Sequence, residues 1–205
     1  MRFPRTALAE YAQRAAAEKL LTGPEGNLSL RLKEKIYITP SNVFKEKLRP
    51  EDITVLDPSG KVIEGRAPSS EAALHLRVYE NRPEVGAIIH AHPPYTLALS
   101  LAGEDFSQAF LAETVLYLGE IGVVPFLPPG SKELAEAVAQ AAKDKEVLVL
   151  ERHGAVALGR DLAQAFTRLL ILEKTAQILY LARTLKKDLP PLTEEEVKAL
   201  LSTTA

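Results

Sequence analysis

The chain has 205 residues, enough for one domain with a buried core. Hydrophobic residues make up 46% and charged residues 25%, as in ordinary soluble globular proteins, and a net charge of −2 offers no basic surface to nucleic acid or an anionic membrane. With no cysteine, disulfides, thiolate catalysis and sulfur-bound metal are excluded, so a metal here must be held by histidine and carboxylate.

No apolar run approaches the ~20 residues of a membrane span. Met1–Arg5 leads into a charged amphipathic segment and not the apolar stretch of a signal peptide, so the cytoplasm is the expected compartment. Residues 6–22 are predicted as an amphipathic helix, with Leu8, Tyr11, Ala12, Ala15, Ala16, Lys19 and Leu20 at helical spacing. Gly23-Pro24-Glu25-Gly26 breaks it. Residues 27–32 and 35–39 alternate in the manner of a β-hairpin, closed by the turn chemistry of Pro40-Ser41-Asn42. Short strands follow at 53–56 and 62–65. A helix is expected from Ser69 or Ser70 to about Tyr79, with a serine cap and Glu71 in its first turn, where a negative charge suits the helix dipole.

Val85-Gly86-Ala87-Ile88-Ile89 has the composition of a buried strand. A helix at 95–101, strands at 123–126 and 147–150 around a helix at 131–143, and a strand at 155–158 come next. Residues 162–185 form a long helix whose apolar residues cover more than one face, the mark of a subunit interface. Pro190-Pro191 leads to a short helix at 194–201, and residues 190–205 read as a tail. The whole is expected to be a single α/β domain over 1–205, without a Rossmann or Walker glycine pattern.

Chemistry concentrates after Ile89. Side chains alternate along a strand, so His90 and His92 emerge on one face, and Pro93-Pro94 stops the strand beside them. His153 follows another apolar strand, with Gly154 permitting a sharp turn. Three neutral imidazoles leave a divalent cation its full charge and an open position, as in catalytic zinc. Glu71 could add a carboxylate. His75, four residues on along the same helix face, could hydrogen-bond to it in a structural role. Ser69-Ser70, Gly26-Asn27-Leu28-Ser29 and Thr39-Pro40-Ser41-Asn42 offer hydroxyls, amides and free backbone donors to an anion. Taken singly, these are also a surface histidine pair, a capping charge and ordinary turns.

Together, Gly26-Asn27, Thr39-Pro40-Ser41, Pro68-Ser69-Ser70-Glu71, His90-Ala91-His92 and His153-Gly154 stand in the order and approximate spacing of the class II aldolase and adducin family. The resemblance spans about residues 5–185 and is greatest to the L-fuculose-1-phosphate aldolase branch. It implies a layered α/β/α fold around a central mixed, largely antiparallel sheet, and a homotetramer with sites between subunits. It implies one zinc ion on His90, His92 and His153, with Glu71 as catalytic acid/base and an additional ligand when substrate is absent. Gly26, Asn27, Ser41, Asn42, Ser69 and Ser70 would cradle a substrate phosphate. The activity implied is that of a metal-dependent aldehyde-lyase, splitting a ketose 1-phosphate to dihydroxyacetone phosphate and an aldehyde. Methylthioribulose-1-phosphate dehydratase, sugar-phosphate 4-epimerase and a non-catalytic adducin-like scaffold are the alternatives on the same frame. The epimerases usually carry aspartate where this chain has Glu71. Two departures stand out: Asn42 replaces the family's usual glycine, and Phe110 and Leu111 occupy the stretch where fuculose-phosphate aldolases place a tyrosine from a neighbouring subunit.

Overall fold

A computed structural model describes residues 3–186 and 188–203. Its elements in chain order are α1 (Pro4–Ala17), β1 (Asn27–Leu32), β2 (Lys35–Ile38), β3 (Thr54–Leu56), β4 (Val62–Glu64), α2 (Ala72–Asn81), β5 (Ala87–Ala91), α3 (Pro94–Leu101), β6 (Gly122–Val124), α4 (Lys132–Ala141), β7 (Val147–Leu150), β8 (Gly154–Gly159), α5 (Leu162–Leu185) and α6 (Glu194–Ser202). Two 3-10 turns at Lys45–Lys47 and Pro50–Asp52, and a π-helical turn at Thr114–Leu118, fill connections where the sequence suggests no element.

The strands form one sheet in the order β4-β3-β2-β1-β5-β8-β7-β6. Every neighbouring pair is antiparallel except β6 with β7, so the sheet is mixed and largely antiparallel, as expected. On one face Ala87, Ile89, Ala91, Val149 and Ala157 pack with Leu8 and Ala12 of α1 and Phe166, Leu169 and Leu172 of α5. On the other, Ile36, Ile88, Leu148, Val156 and Leu158 pack with Leu74 and Val78 of α2 and Leu134 and Val138 of α4. Burying each Ile or Leu contributes on the order of 1.5–3 kcal/mol, which fixes the register of the central strands. Because Ile88 faces α2, His90 two residues on faces α2 as well.

Several boundaries differ from expectation, three of them for a visible reason. Helix α1 stops at Ala17 and not at residue 22, because Lys19 turns left-handed (φ 60) and sends Leu20 and Leu21 into the core. Helix α2 begins at Ala72, with Glu71 as its N-cap, so neither serine caps it and Glu71 is no first-turn charge. Pro68 and Ser69 are held extended against the β2 exit by a Pro40–Pro68 bridge and by Ser69 N donating to Thr39 O at 3.2 Å, so helix cannot start earlier. Strand β6 ends at Val124, before Pro125, leaving Phe126 outside it. Among the described residues no helix is long and apolar enough to cross a membrane.

Candidate active site

Strand β5 ends at Ala91, inside the His-x-His pair: His90 lies within the sheet, paired across Asn27 of β1 and Val156 of β8. His92 follows the strand, its backbone N–H donating to Leu20 O at 3.0 Å. Past Pro93, helix α3 starts with its first backbone donors bound by a carboxylate from α5. Glu173 accepts from Tyr95 N at 2.8 Å and from Thr96 N and Oγ1, each at 2.9 Å. The pair is therefore anchored on both sides.

His153 comes from the β7–β8 connection. The left-handed residue there is Arg152 (φ 57), so the turn is not made by Gly154, which already belongs to β8. Glycine is required at 154 for another reason. A Cβ there would collide with the Ala91 carbonyl and lie 2.8 Å from His92 and 3.1 Å from His90.

These placements bring the three imidazoles together. Ring centroids are 5.1 Å apart for His90–His92, 4.7 Å for His90–His153 and 5.3 Å for His92–His153, and one nitrogen from each lies within 4.8 Å of the others. His90 donates its Nδ1–H to Ala155 O at 3.0 Å, and its Nε2 faces His92 Nε2 at 3.3 Å. Burial, followed by the neighbouring imidazoles, pushes His92 and His153 down to about 4, so both are neutral at pH 7. Neutral imidazole is the ligating form.

Glu71, at the N-cap position of α2, turns its side chain to this group and not to the helix. Its Oε2 is 3.2 Å from His90 Nε2 and its Oε1 is 3.3 Å from His153 Nε2. Burial raises the Glu71 carboxyl, but the His90 imidazole, the Asn27 amide and His153 outweigh it and hold the group well below the usual carboxylate range. Glu71 Oε1 and His153 Nδ1 are buried without a hydrogen-bond partner among the described residues. Three converging imidazoles beside an orphaned carboxylate oxygen suit a divalent cation, and the three-histidine group could hold one.

The candidate anion stretches also meet. Thr39 accepts from Leu28 N through Oγ1 at 3.2 Å, and Ser41 donates from N to Ala67 O and from Oγ to Pro68 O. Ser69 Oγ accepts from Glu71 N at 3.3 Å, and Ser70 is exposed beside Gly130 of the β6–α4 loop. Asn42 adopts the left-handed backbone (φ 57) that glycine would take. Gly26 is also left-handed (φ 60), and a Cβ would lie 2.6 Å from His90 O. The Asn27 side chain is turned inward, donating to Glu71 Oε2 at 2.9 Å and meeting His75 Nε2 at 2.5 Å. Asn27 thus stands between His75 and Glu71, which do not bond directly.

Two further residues escape a sequence reading. Glu25 Oε2 lies 3.6 Å from His92 Nδ1. Lys45, only 1% exposed, donates to Pro24 O at 2.9 Å and Val43 O at 3.1 Å, pinning the segments that flank both turn stretches. Burial pushes its amine down to about 8, against the pull of Glu46 and Glu25.

Residues 6–180 match the family described as Class II Aldolase and Adducin N-terminal domain. The chain belongs to this family. It is 37% identical over 169 residues to an L-fuculose phosphate aldolase of Methanococcus vannielii, covering 82% of this chain and 91% of that protein. It is 35% identical over 183 residues to a 3-oxo-tetronate 4-phosphate decarboxylase of Haemophilus influenzae, covering 87% and 86%. A solved L-fuculose 1-phosphate aldolase superposes with a TM-score of 0.91 at 30% identity, over 100% of this chain and 97% of that one. The family relatives named here are lyases, and the mixed eight-stranded sheet is the class II aldolase fold.

Proposed function

We propose that this chain is a zinc-dependent aldolase that cleaves a ketose 1-phosphate into dihydroxyacetone phosphate and an aldehyde. The observation that carries the reading is Glu71 capping α2 within 3.3 Å of two of three converging imidazoles. His90, His92 and His153 would hold the ion, with Glu71 as a further ligand in the absence of substrate. Bound there, zinc would act as a Lewis acid towards negative charge on substrate oxygens.

The chain's own groups account for the rest. Gly26, Asn27, Ser41, Asn42, Ser69 and Ser70 surround the place for the phosphate, Asn27 from beneath through its contact with Glu71. Gripping that end sets the carbon beside the keto group next to the Glu71 carboxylate. In cleavage Glu71 delivers a proton to that carbon of the enediolate; in condensation it removes the proton. The imidazole contacts make Glu71 a weak base as it stands. A substrate that separates it from His90 and His153 raises its proton affinity.

The decarboxylase relative supports a second reading. Loss of carbon dioxide from a 3-oxo-tetronate 4-phosphate and aldol cleavage of a ketose 1-phosphate both break the bond between the carbons α and β to a keto group. Both leave the enediolate of dihydroxyacetone phosphate. A coupled assay for that product, run with fuculose or ribulose 1-phosphate and separately with the oxo acid, divides the two. Release from the oxo acid alone would make the protein a decarboxylase, and water loss from methylthioribulose 1-phosphate alone would make it a dehydratase.

The assembly proposed is a cytoplasmic homotetramer. Ile178, Tyr180, Leu181 and Leu185 on α5 are exposed, as is Tyr117 of the π-helical turn, and a neighbouring copy would cover them. A monomer by light scattering would refute that assembly.

A further inference from the structure

The chain has four histidines, and His75 is the one outside the three-imidazole group. It is fully buried in the middle of α2. Glu71, His75 and Tyr79 are spaced four apart and share a face of α2, while Asn27 and Ser29 share the facing side of β1. Between them runs an unbroken line of contacts: Glu71 Oε2 to Asn27 Nδ2 at 2.9 Å, Asn27 Oδ1 to His75 Nε2 at 2.5 Å, His75 Nδ1 to Ser29 Oγ at 2.6 Å, and Ser29 Oγ to Tyr79 OH at 2.7 Å.

Donor and acceptor inventory gives this line one direction. A carboxylate only accepts, so Asn27 must turn its NH2 to Glu71 and its Oδ1 to His75. His75 Nε2 must then carry a hydrogen. Burial, with the nearby His90, pushes His75 down to about 3, so the ring is neutral and Nδ1 is bare. Ser29 therefore donates to Nδ1 and accepts from the Tyr79 hydroxyl, which lies 2.7 Å from it and 3.4 Å from its other acceptor, Gly86 O. Inverting the Asn27 amide would set its oxygen against the carboxylate and a bare acceptor or wrong tautomer against its NH2, inside a buried region where unmet polar groups cost about 1–3 kcal/mol each.

Resting on the proton-transfer role proposed above for Glu71, we propose that His75 is a positioning residue for that step. Through Asn27 it keeps Glu71 Oε2 in a donated hydrogen bond and leaves Oε1, turned to His153, as the oxygen without a donor among the described residues. The carboxylate is thereby held in one rotational setting above the three imidazoles, as partners behind metal ligands hold those ligands.

Two readouts test it on the metal-loaded full chain. In histidine-labelled protein, 15N spectra should show His75 as the neutral Nε2–H tautomer; an Nδ1–H tautomer or an imidazolium overturns the proposal whatever the activity. In steady-state assays His75→Phe should lower kcat about 10- to 100-fold with KM and metal content unchanged. His75→Gln, which carries both a donor and an acceptor, should restore most of the loss. In a Glu71→Gln background His75→Phe should cost nothing further, because the group it positions is gone. Equal losses in both backgrounds, or a fall in metal content, would mark His75 as merely structural and overturn the proposal. If His75→Phe does not fold, Ser29→Ala replaces it: His75 Nδ1 then loses its donor and the ring its anchor, and kcat should fall in the same pattern. Failure of the wild-type protein to release dihydroxyacetone phosphate would count against the aldolase reading, and the tautomer would then decide the relay by itself.

Discussion

Lys45 gives a sharp test because its ammonium is buried on two carbonyls, with no carboxylate in hydrogen-bond contact among the described residues. In the unfolded chain its amine has the ordinary value of 10.5; in the fold it is pushed down to about 8. Between those two values the unfolded chain binds more protons than the native one, so stability must rise with pH across the window. The gap, at about 1.4 kcal/mol for each tenfold in proton affinity, comes to ~3 kcal/mol, absent below pH 8 and complete above 10.5. Lys45→Met keeps the length of the side chain and removes the ammonium. It also removes the donors to Pro24 O and Val43 O, each about 1.5–3 kcal/mol as a charge-assisted bond. At neutral pH these losses oppose the relief of desolvation, so the variant's stability there decides little. The slope decides. Urea unfolding of both proteins at pH 7.5, 9 and 10.5, at fixed protein and metal concentrations, should show wild type gaining ~3 kcal/mol over the variant from the lowest pH to the highest. Parallel stability curves would refute a buried, strained ammonium at this position.

Glu71→Gln should keep fold and metal, since the amide can still accept from Asn27, while turnover and solvent exchange of the enediolate proton fall about 10²–10⁴-fold; exchange at the wild-type rate would remove Glu71 as the base. Gly154→Ala should destabilise the protein by about 1–3 kcal/mol and empty the metal site, because the Ala91 carbonyl cannot retreat without breaking the β5–β8 ladder; thermal unfolding and elemental analysis read the two effects. About one divalent ion per chain is expected at pH 7. His92 and His153 are held near 4 against 6.5 unfolded, so metal-free stability is full above 6.5 and is lost as pH falls towards 4. Ligand protonation should release the ion over the same acid range, and elemental analysis after dialysis at pH 7 and pH 4 measures it.

Much of this was legible in the residues. Ala87-Ile88-Ile89 reads as a buried strand because both faces of it are covered, and the period of two then places His90 and His92 together. The hairpin, α4 with its Ser131 cap and α5 follow from local pattern alone. What the sequence hides is decided by distant partners. Phe44 is 56% exposed and its neighbour Lys45 is 1% exposed, the reverse of their hydropathy, because the Gly23–Gly26 turn packs over the lysine and its carbonyl takes the charge. Glu71 reads as a first-turn charge until the Pro40–Pro68 bridge delays the helix. His75 reads as a partner of Glu71, and nothing in the spacing of one helix shows that an asparagine from a neighbouring strand stands between them.

Glu173 gives the long helix a second importance. Its carboxylate grips the start of α3 only three residues after His92, while the outer side of the same helix carries the exposed Ile178, Tyr180 and Leu181. Helix α5 is thus a rigid bar with a chemical centre moored to one flank and an oily surface on the other. A shift of the bar would reach the His92 segment by two routes, through Glu173 on the start of α3 and through the packing of Phe166, Leu169 and Leu172 on β5. Substitutions on the outer flank that shift the helix would therefore be felt beside the imidazoles, although they touch none of them.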